Sequence, residues 1–116
     1  MHELIKILKT LTCENRIRML KLLLEKDICV CEMKEIFSIS NSQVSRNLKM
    51  LMDAGFLKRW NEGKCVVYVT DKVTSNMYCR TMLDMVSKSF NDNKVVLEDK
   101  KKLQIVIECK MRLNKK

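Results

Sequence analysis

Over the first eleven residues the apolar positions fall three or four apart. Leu4, Ile5, Leu8 and Leu11 share one face, which predicts a helix from His2 to Leu11. Thr12 is placed to cap a second helix, with Glu14 in its positive first turn. Ile17, Leu20, Leu23 and Leu24 line that helix inward, and it is expected to end near Lys26-Asp27. Ile28 to Val30 is a short β-branched stretch. A third helix is expected over Cys31 to Phe37, burying Met33, Ile36 and Phe37. Ser38-Ile39-Ser40-Asn41-Ser42 then forms a polar turn with several cap candidates. It leads into Gln43 to Ala54, where Val44, Leu48, Leu51 and Met52 share a face.

After Gly55 the apolar period changes from helical to near two. Phe56 to Trp60 and Cys65 to Thr70 read as strands, with a hairpin turn at Asn61-Glu62-Gly63-Lys64. The helical pattern returns from Val73 to Phe90, with Tyr78, Met82, Val86 and Phe90 four apart. After Asn91-Asp92-Asn93, Lys94 to Leu113 reads as a last helix. With two glycines and no proline, each glycine carries weight. Gly55 fits the left-handed position that closes a helix, and Gly63 the turn position that needs positive φ.

The chain has 116 residues, enough for one domain, and a net charge of +9. Size excludes a large hydrolase or a two-domain cofactor enzyme. No apolar run is long enough for a membrane span, and no secretory signal is visible. Six cysteines in that context read as cytoplasmic thiols, some of them metal ligands, rather than as a disulfide scaffold. The positive charge points to a polyanionic partner, nucleic acid before membrane.

Two short helices around a polar turn, a glycine-closed helix and a hairpin make the order of a winged helix–turn–helix. The expected fold is therefore mainly α with a small β-hairpin. The helix–turn–helix spans about residues 31–54 and the wing about 56–70. Terminal helices at about 2–11 and 73–113 are left for dimerisation. In this arrangement the second helix of the pair enters the major groove while the first braces it. Its outward face carries Gln43, Ser45, Arg46, Asn47 and Lys49, with Ser40 and Ser42 at its start. Gln and Asn suit adenine edges, Arg suits guanine, and Ser or Lys suits phosphate. The wing adds Arg59 and Lys64.

Leu11 to Leu24 (LTCENRIRMLKLLL), Asp27 to Met33 (DICVCEM) and Ser40 to Val69 (SNSQVSRNLKMLMDAGFLKRWNEGKCVVYV) closely resemble the ArsR/SmtB family of metal-sensing repressors. The most specific parts are Val44-Ser45-Arg46, Leu48-Lys49-x-Leu51, Ala54-Gly55 and the Gly63-Lys64 turn. The resemblance implies an α-rich homodimer that pairs through its first and last helices. It implies binding to double-stranded operator DNA, an imperfect inverted repeat, and release when an inducer binds. It implies neither catalysis nor an organic cofactor. The family often has His where this chain has Asn47.

The resemblance also directs attention to Cys29-Val30-Cys31. In the arsenic-responsive branch this pair is followed three residues later by a third Cys, where this chain has Lys34. As(III) is the inducer so implied, followed by Sb(III), Cd(II) and Pb(II), all of which suit thiolates. Cys13 is a further candidate ligand, and a small thiol or water could also complete the set. Lys34 stands one turn from Cys31, where it could act on that thiol. Cys65 alternates with wing valines and reads as packing, and Cys79 and Cys109 read as core. The family's zinc site on the helix after the wing requires histidine, and Asp71 to Phe90 contains none. The alternative reading is a repressor that senses oxidants or persulfides through the same thiols. It needs a distant cysteine partner, since neighbouring C-x-C disulfides are strained.

Overall fold

Thr12 does not cap the second helix. Its Oγ1 donates to Lys9 O at 2.7 Å, so it closes the end of α1 (His2–Thr10). Cys13, in extended conformation, then stands before α2 (Glu14–Leu23), which ends before the Lys26-Asp27 expected from sequence. The computed structural model describes residues 1–114. After α2 the order is β1 (Ile28–Cys29), α3 (Val30–Ile36), α4 (Asn41–Ala54), β2 (Leu57–Glu62), β3 (Cys65–Thr70), α5 (Met77–Lys88) and α6 (Lys94–Asn114). Among the described residues, no helix is long and apolar enough to cross a membrane.

The β-branched stretch after α2 is a strand that the sequence reading left unpaired. It turns the expected hairpin into a three-stranded antiparallel sheet of order β1-β3-β2. Ile28 pairs with Tyr68 and Cys29 with Val67. On the other side of β3 the ladder runs from Leu57 opposite Thr70 to Glu62 opposite Cys65. The two wing strands are thus joined by Gly63-Lys64 alone, a tighter turn than the four residues expected. Gly63 takes φ 64°, as a two-residue hairpin requires of its glycine.

Local chemistry sets the ends of α4. Ser40 Oγ accepts from the Gln43 N–H at 3.2 Å, and Gln43 Oε1 accepts from the Ser40 N–H at 3.2 Å. This reciprocal box satisfies two N–H groups at the helix start. Gly55, at φ 104°, closes the other end, with its N–H bonded to Met52 O. Val44, Leu48 and Leu51 face inward as expected, whereas Met52 is only half-buried.

One apolar core runs through all the helices and the sheet, with Met19, Leu20, Leu22, Met33, Leu51 and Phe56 fully buried in it. On α2 the buried run is Met19 to Leu23; Ile17 and Leu24 are half-buried. The inward face of α5 agrees with the expected one at Val86 and, half-buried, at Met82, but differs at the helix start and beyond its end. Cys79, Leu83 and Val86 are buried, while Tyr78 and Phe90 are exposed. The helix also starts later than Val73, where Asn76 Oδ1 accepts from the Tyr78 and Cys79 N–H groups. Phe90 lies at φ 63°, in the left-handed region that non-glycine residues seldom occupy, and turns the chain into α6. Asn93 caps that helix by accepting from the N–H groups of Val95 and Val96.

Candidate nucleic-acid interface and thiol centre

α4 presents Ser42, Gln43, Arg46 and Lys49 to solvent, with Ser45 and Asn47 half-buried beside them. Two of the expected base readers are already engaged. Gln43 Oε1 belongs to the cap of its own helix. Asn47 Oδ1 accepts from Arg16 Nη1 at 3.0 Å, which ties α2 to α4. Bidentate reading of adenine needs the amide oxygen and nitrogen together. In this arrangement each amide oxygen already accepts one bond within the protein, which restrains how the side chain can turn toward a base. Among the described residues, Arg46 and Lys49 have no such restraint. Arg59 and Lys64 are exposed on the wing, so cationic groups lie on both recognition helix and hairpin.

Cys29 and Cys31 converge because the backbone changes state between them. Cys29 is extended (φ −81°, ψ 154°) and forms the last residue of β1, while α3 begins at Val30. Glu32 folds back so that its Oε1 accepts from the Cys29 N–H at 2.8 Å. This fixes the junction. Cys29 is buried and Cys31 exposed, so the pair bridges core and surface.

The third thiol beside them belongs to Cys65, in the wing strand. The Sγ atoms of Cys29, Cys31 and Cys65 all lie within 4.8 Å of one another. The sequence pattern gave Cys65 a packing role in the wing strand; the fold also sets its thiol beside the Cys29–Cys31 pair. The signal was the β-branched run before α3: paired with the wing, it places Cys65 two residues from the partner of Cys29 and on the same sheet face. Three thiolates bound to one ion at about 2.3 Å stand roughly 4 Å apart, so this cluster needs only a small contraction to hold one. All three donors are sulfur, which suits a soft ion.

Cys13 takes no part in this cluster. It lies at the start of α2, in a cleft shared with Arg16, Gln43 and Arg46. Cys109 is not core either: it is exposed on α6 and lines a cleft with Cys31 and Lys110. Cys79 is buried as expected, and its Sγ donates to Ala54 O at 3.2 Å; burial pushes that thiol up. The cation that reaches the thiols is Lys110 rather than Lys34, with Nζ 3.8 Å from Cys29 Sγ. Burial lowers the Lys110 ammonium, but Glu32, Cys29 and Cys65 outweigh it and hold the group above the usual lysine range.

Element order, sheet and recognition helix together define a winged helix–turn–helix protein. Residues 13–59 match the family model described as "Bacterial regulatory protein, arsR family". Over those residues the chain is similar to the helix–turn–helix segment of that family. It is 34% identical over 67 residues to a cadmium resistance transcriptional regulatory protein CadC homolog from Staphylococcus aureus, covering 57% of this chain and 55% of that protein. It is 35% identical over 63 residues to the arsenic resistance transcriptional regulator ArsR1 of Pseudomonas putida, covering 53% and 49%. The matches thus span about half the length of these curated relatives. Among solved structures, HlyU from Vibrio cholerae aligns with a TM-score of 0.61 at 24% identity, over 73% of this chain and 88% of that one. The homodimeric winged helix-turn-helix DNA-binding domain from Mycobacterium bovis aligns with a TM-score of 0.63 at 17% identity, over 80% and 82%.

Proposed function

We propose that this chain is a cytoplasmic, homodimeric transcriptional repressor that binds an imperfect inverted repeat in double-stranded DNA and releases it on binding a thiophilic inducer. As(III) is the first candidate, then Sb(III), Cd(II) and Pb(II). The observation that carries the reading is the meeting of Cys29 and Cys31 at the start of α3, the helix packed against α4. Drawing these thiolates onto one ion reshapes the start of α3 and changes the tilt of α4. The ion must then prefer a DNA-incompetent shape, so ion and operator weaken each other reciprocally. A coupling of about 2–3 kcal/mol is enough for useful derepression. The names of the cadmium and arsenic resistance regulators support the inducer class. Ser40, Ser42, Gln43, Ser45, Arg46, Asn47, Lys49, Arg59 and Lys64 form the proposed DNA surface. Replacing Cys29 or Cys31 by Ser should leave operator affinity intact and abolish release by As(III). Release at wild-type As(III) concentrations in both variants would refute the proposed site.

The cluster also lends support to a thiol redox switch. Cys65 is the sequence-distant partner that such a switch needs, near both Cys29 and Cys31. Two thiols would give one disulfide, with two electrons and two protons passing to a peroxide. Mass spectrometry after mild peroxide treatment separates the readings: a loss of two hydrogens between Cys65 and Cys29 or Cys31 supports the switch, and an arsenic adduct without that loss supports the ion sensor.

A further inference from the structure

We propose that Cys65 is the third ligand of the inducer, so that one ion bound within one subunit fastens the wing to the base of the bracing helix. This rests on the ion-sensing reading above and specifies its ligand set. The pairing of β1 with β3 is the physical cause. Cys29 stands opposite Val67, and Cys65, two residues earlier on β3, projects to the same face of the sheet. Continuing that register by two residues brings Cys31 opposite Cys65. The chain enters α3 at Val30 instead, yet the three sulfurs remain within 4.8 Å of one another.

Neither other candidate is as well placed. Cys13 lies beside Arg16 and Arg46 in the cleft at the recognition helix. Cys109 approaches only the exposed side of the pair, through the cleft it shares with Cys31, and its thiol is outside the three-sulfur cluster. A trigonal, all-sulfur set is what a soft ion takes up most readily. It is complete without a second subunit, so each chain binds one ion whether or not it is paired.

The position of Cys65 gives the ion a second lever. Cys65 is the first residue of β3, directly after the Gly63-Lys64 turn, and Glu62 pairs with it across the hairpin. Contracting the three sulfurs therefore pulls on the turn end of the wing as well as on the start of α3. Lys64 and Arg59 move with the hairpin while Arg46 and Lys49 move with α4. The two cationic surfaces then no longer match one duplex.

The test uses the full chain, with arsenite as the probe and X-ray absorption at the arsenic edge as the readout. Wild type, C13S, C79S and C109S should each show three sulfurs around arsenic. C65S and C65A should show two, and should need about tenfold more arsenite or higher for half-release of operator, since even partners behind the ligands are worth that much. Both variants should bind operator like wild type without arsenite, which also reports that they fold. Three sulfurs in C65S and C65A, or release at the wild-type concentration, overturns the assignment. If C29S and C31S lose the response while C65S keeps it, this inference alone fails. If C29S and C31S also respond normally, the ion-sensing reading fails with it.

Discussion

Arg18 grips Asp99 with two parallel bonds: Nε donates to Oδ2 and Nη2 to Oδ1, each at 2.8 Å. Asp99 is almost fully buried, so the fork joins α2 to α6 across 81 residues of sequence. The guanidinium also lies 4.6 Å from the centre of the Phe37 ring, at the end of α3. One cation thus sets how the last helix lies over the helix–turn–helix, and with it the placement of Lys110 above the thiols. The bond to Asp99 holds Arg18 above even the usual arginine range. Asp99→Asn removes the charge but keeps the shape. It should destabilise the fold by about 3 kcal/mol, since breaking one side of a buried pair strands the other. Urea unfolding checks this, and a loss within error of zero would show the pair to be dispensable.

Gly55 cannot be replaced without strain. Its φ of 104° is unfavourable to any residue with a Cβ, and an added Cβ would meet Cys79 Sγ at 3.1 Å. Gly55→Ala should cost about 1–2 kcal/mol from the backbone alone, and more with the crowding. The same thermal or urea measurement decides it.

Arg46 is an exposed cation on the recognition helix. Arg46→Ala should weaken operator binding by about 1–3 kcal/mol. Wild-type affinity should fall steeply with salt as phosphate contacts release counterions. Fluorescence anisotropy over a salt series measures both. An unchanged affinity for the variant would remove Arg46 from the interface.

Ile5 and Leu8 on α1 and Ile105 on α6 stay exposed, while their neighbour Ile7 is buried. Those exposed side chains are the expected dimer seam. Leu8→Glu should yield a monomer in light scattering and lose most operator affinity, because one recognition helix contacts only a half-site. A dimeric variant would place the seam elsewhere.

Lys110 bears on which ion is preferred. Three thiolates around a divalent ion carry one net negative charge; around As(III) they carry none. A lysine 3.8 Å from Cys29 Sγ favours the first case. Lys110→Met should weaken Cd(II) and Pb(II) binding several-fold while leaving As(III) unchanged. Competition titrations with a chelator measure the divalent ions, and equal losses for all three would show that the lysine acts through packing.

Features decided by neighbouring residues were legible in the sequence. The box at Ser40 and Gln43 rests on chemistry three residues apart, and the glycines at 55 and 63 each answer a local demand for positive φ. Thr12 misled because its hydroxyl had two local uses, and bonding back to Lys9 prevailed. The two ends of the α5 face were misjudged because a strict four-residue spacing drifts around a helix, while Cys79 gives a weak apolar signal. Cys65 was missed for a different reason. Its place depends on β1 choosing β3 as its partner, nearly forty residues away, and nothing at Cys65 itself announces that pairing.

Lys21 is a buried ammonium that donates to Val86 O, Ser87 O and Asn91 Oδ1, at 3.1, 3.2 and 2.8 Å. Burial holds it below the usual lysine range, with Lys100 adding to the effect and Glu25 opposing it. It serves as the plug for the final turn of α5, supplied from α2. Truncating the chain after the wing would therefore do more than remove a dimer seam. It would leave Lys21 without its acceptors and Arg18 without Asp99, and would uncover the apolar surface beneath both helices. The DNA-reading segment is for this reason not a detachable cassette: grafted elsewhere without α5 and α6, it should fail to fold.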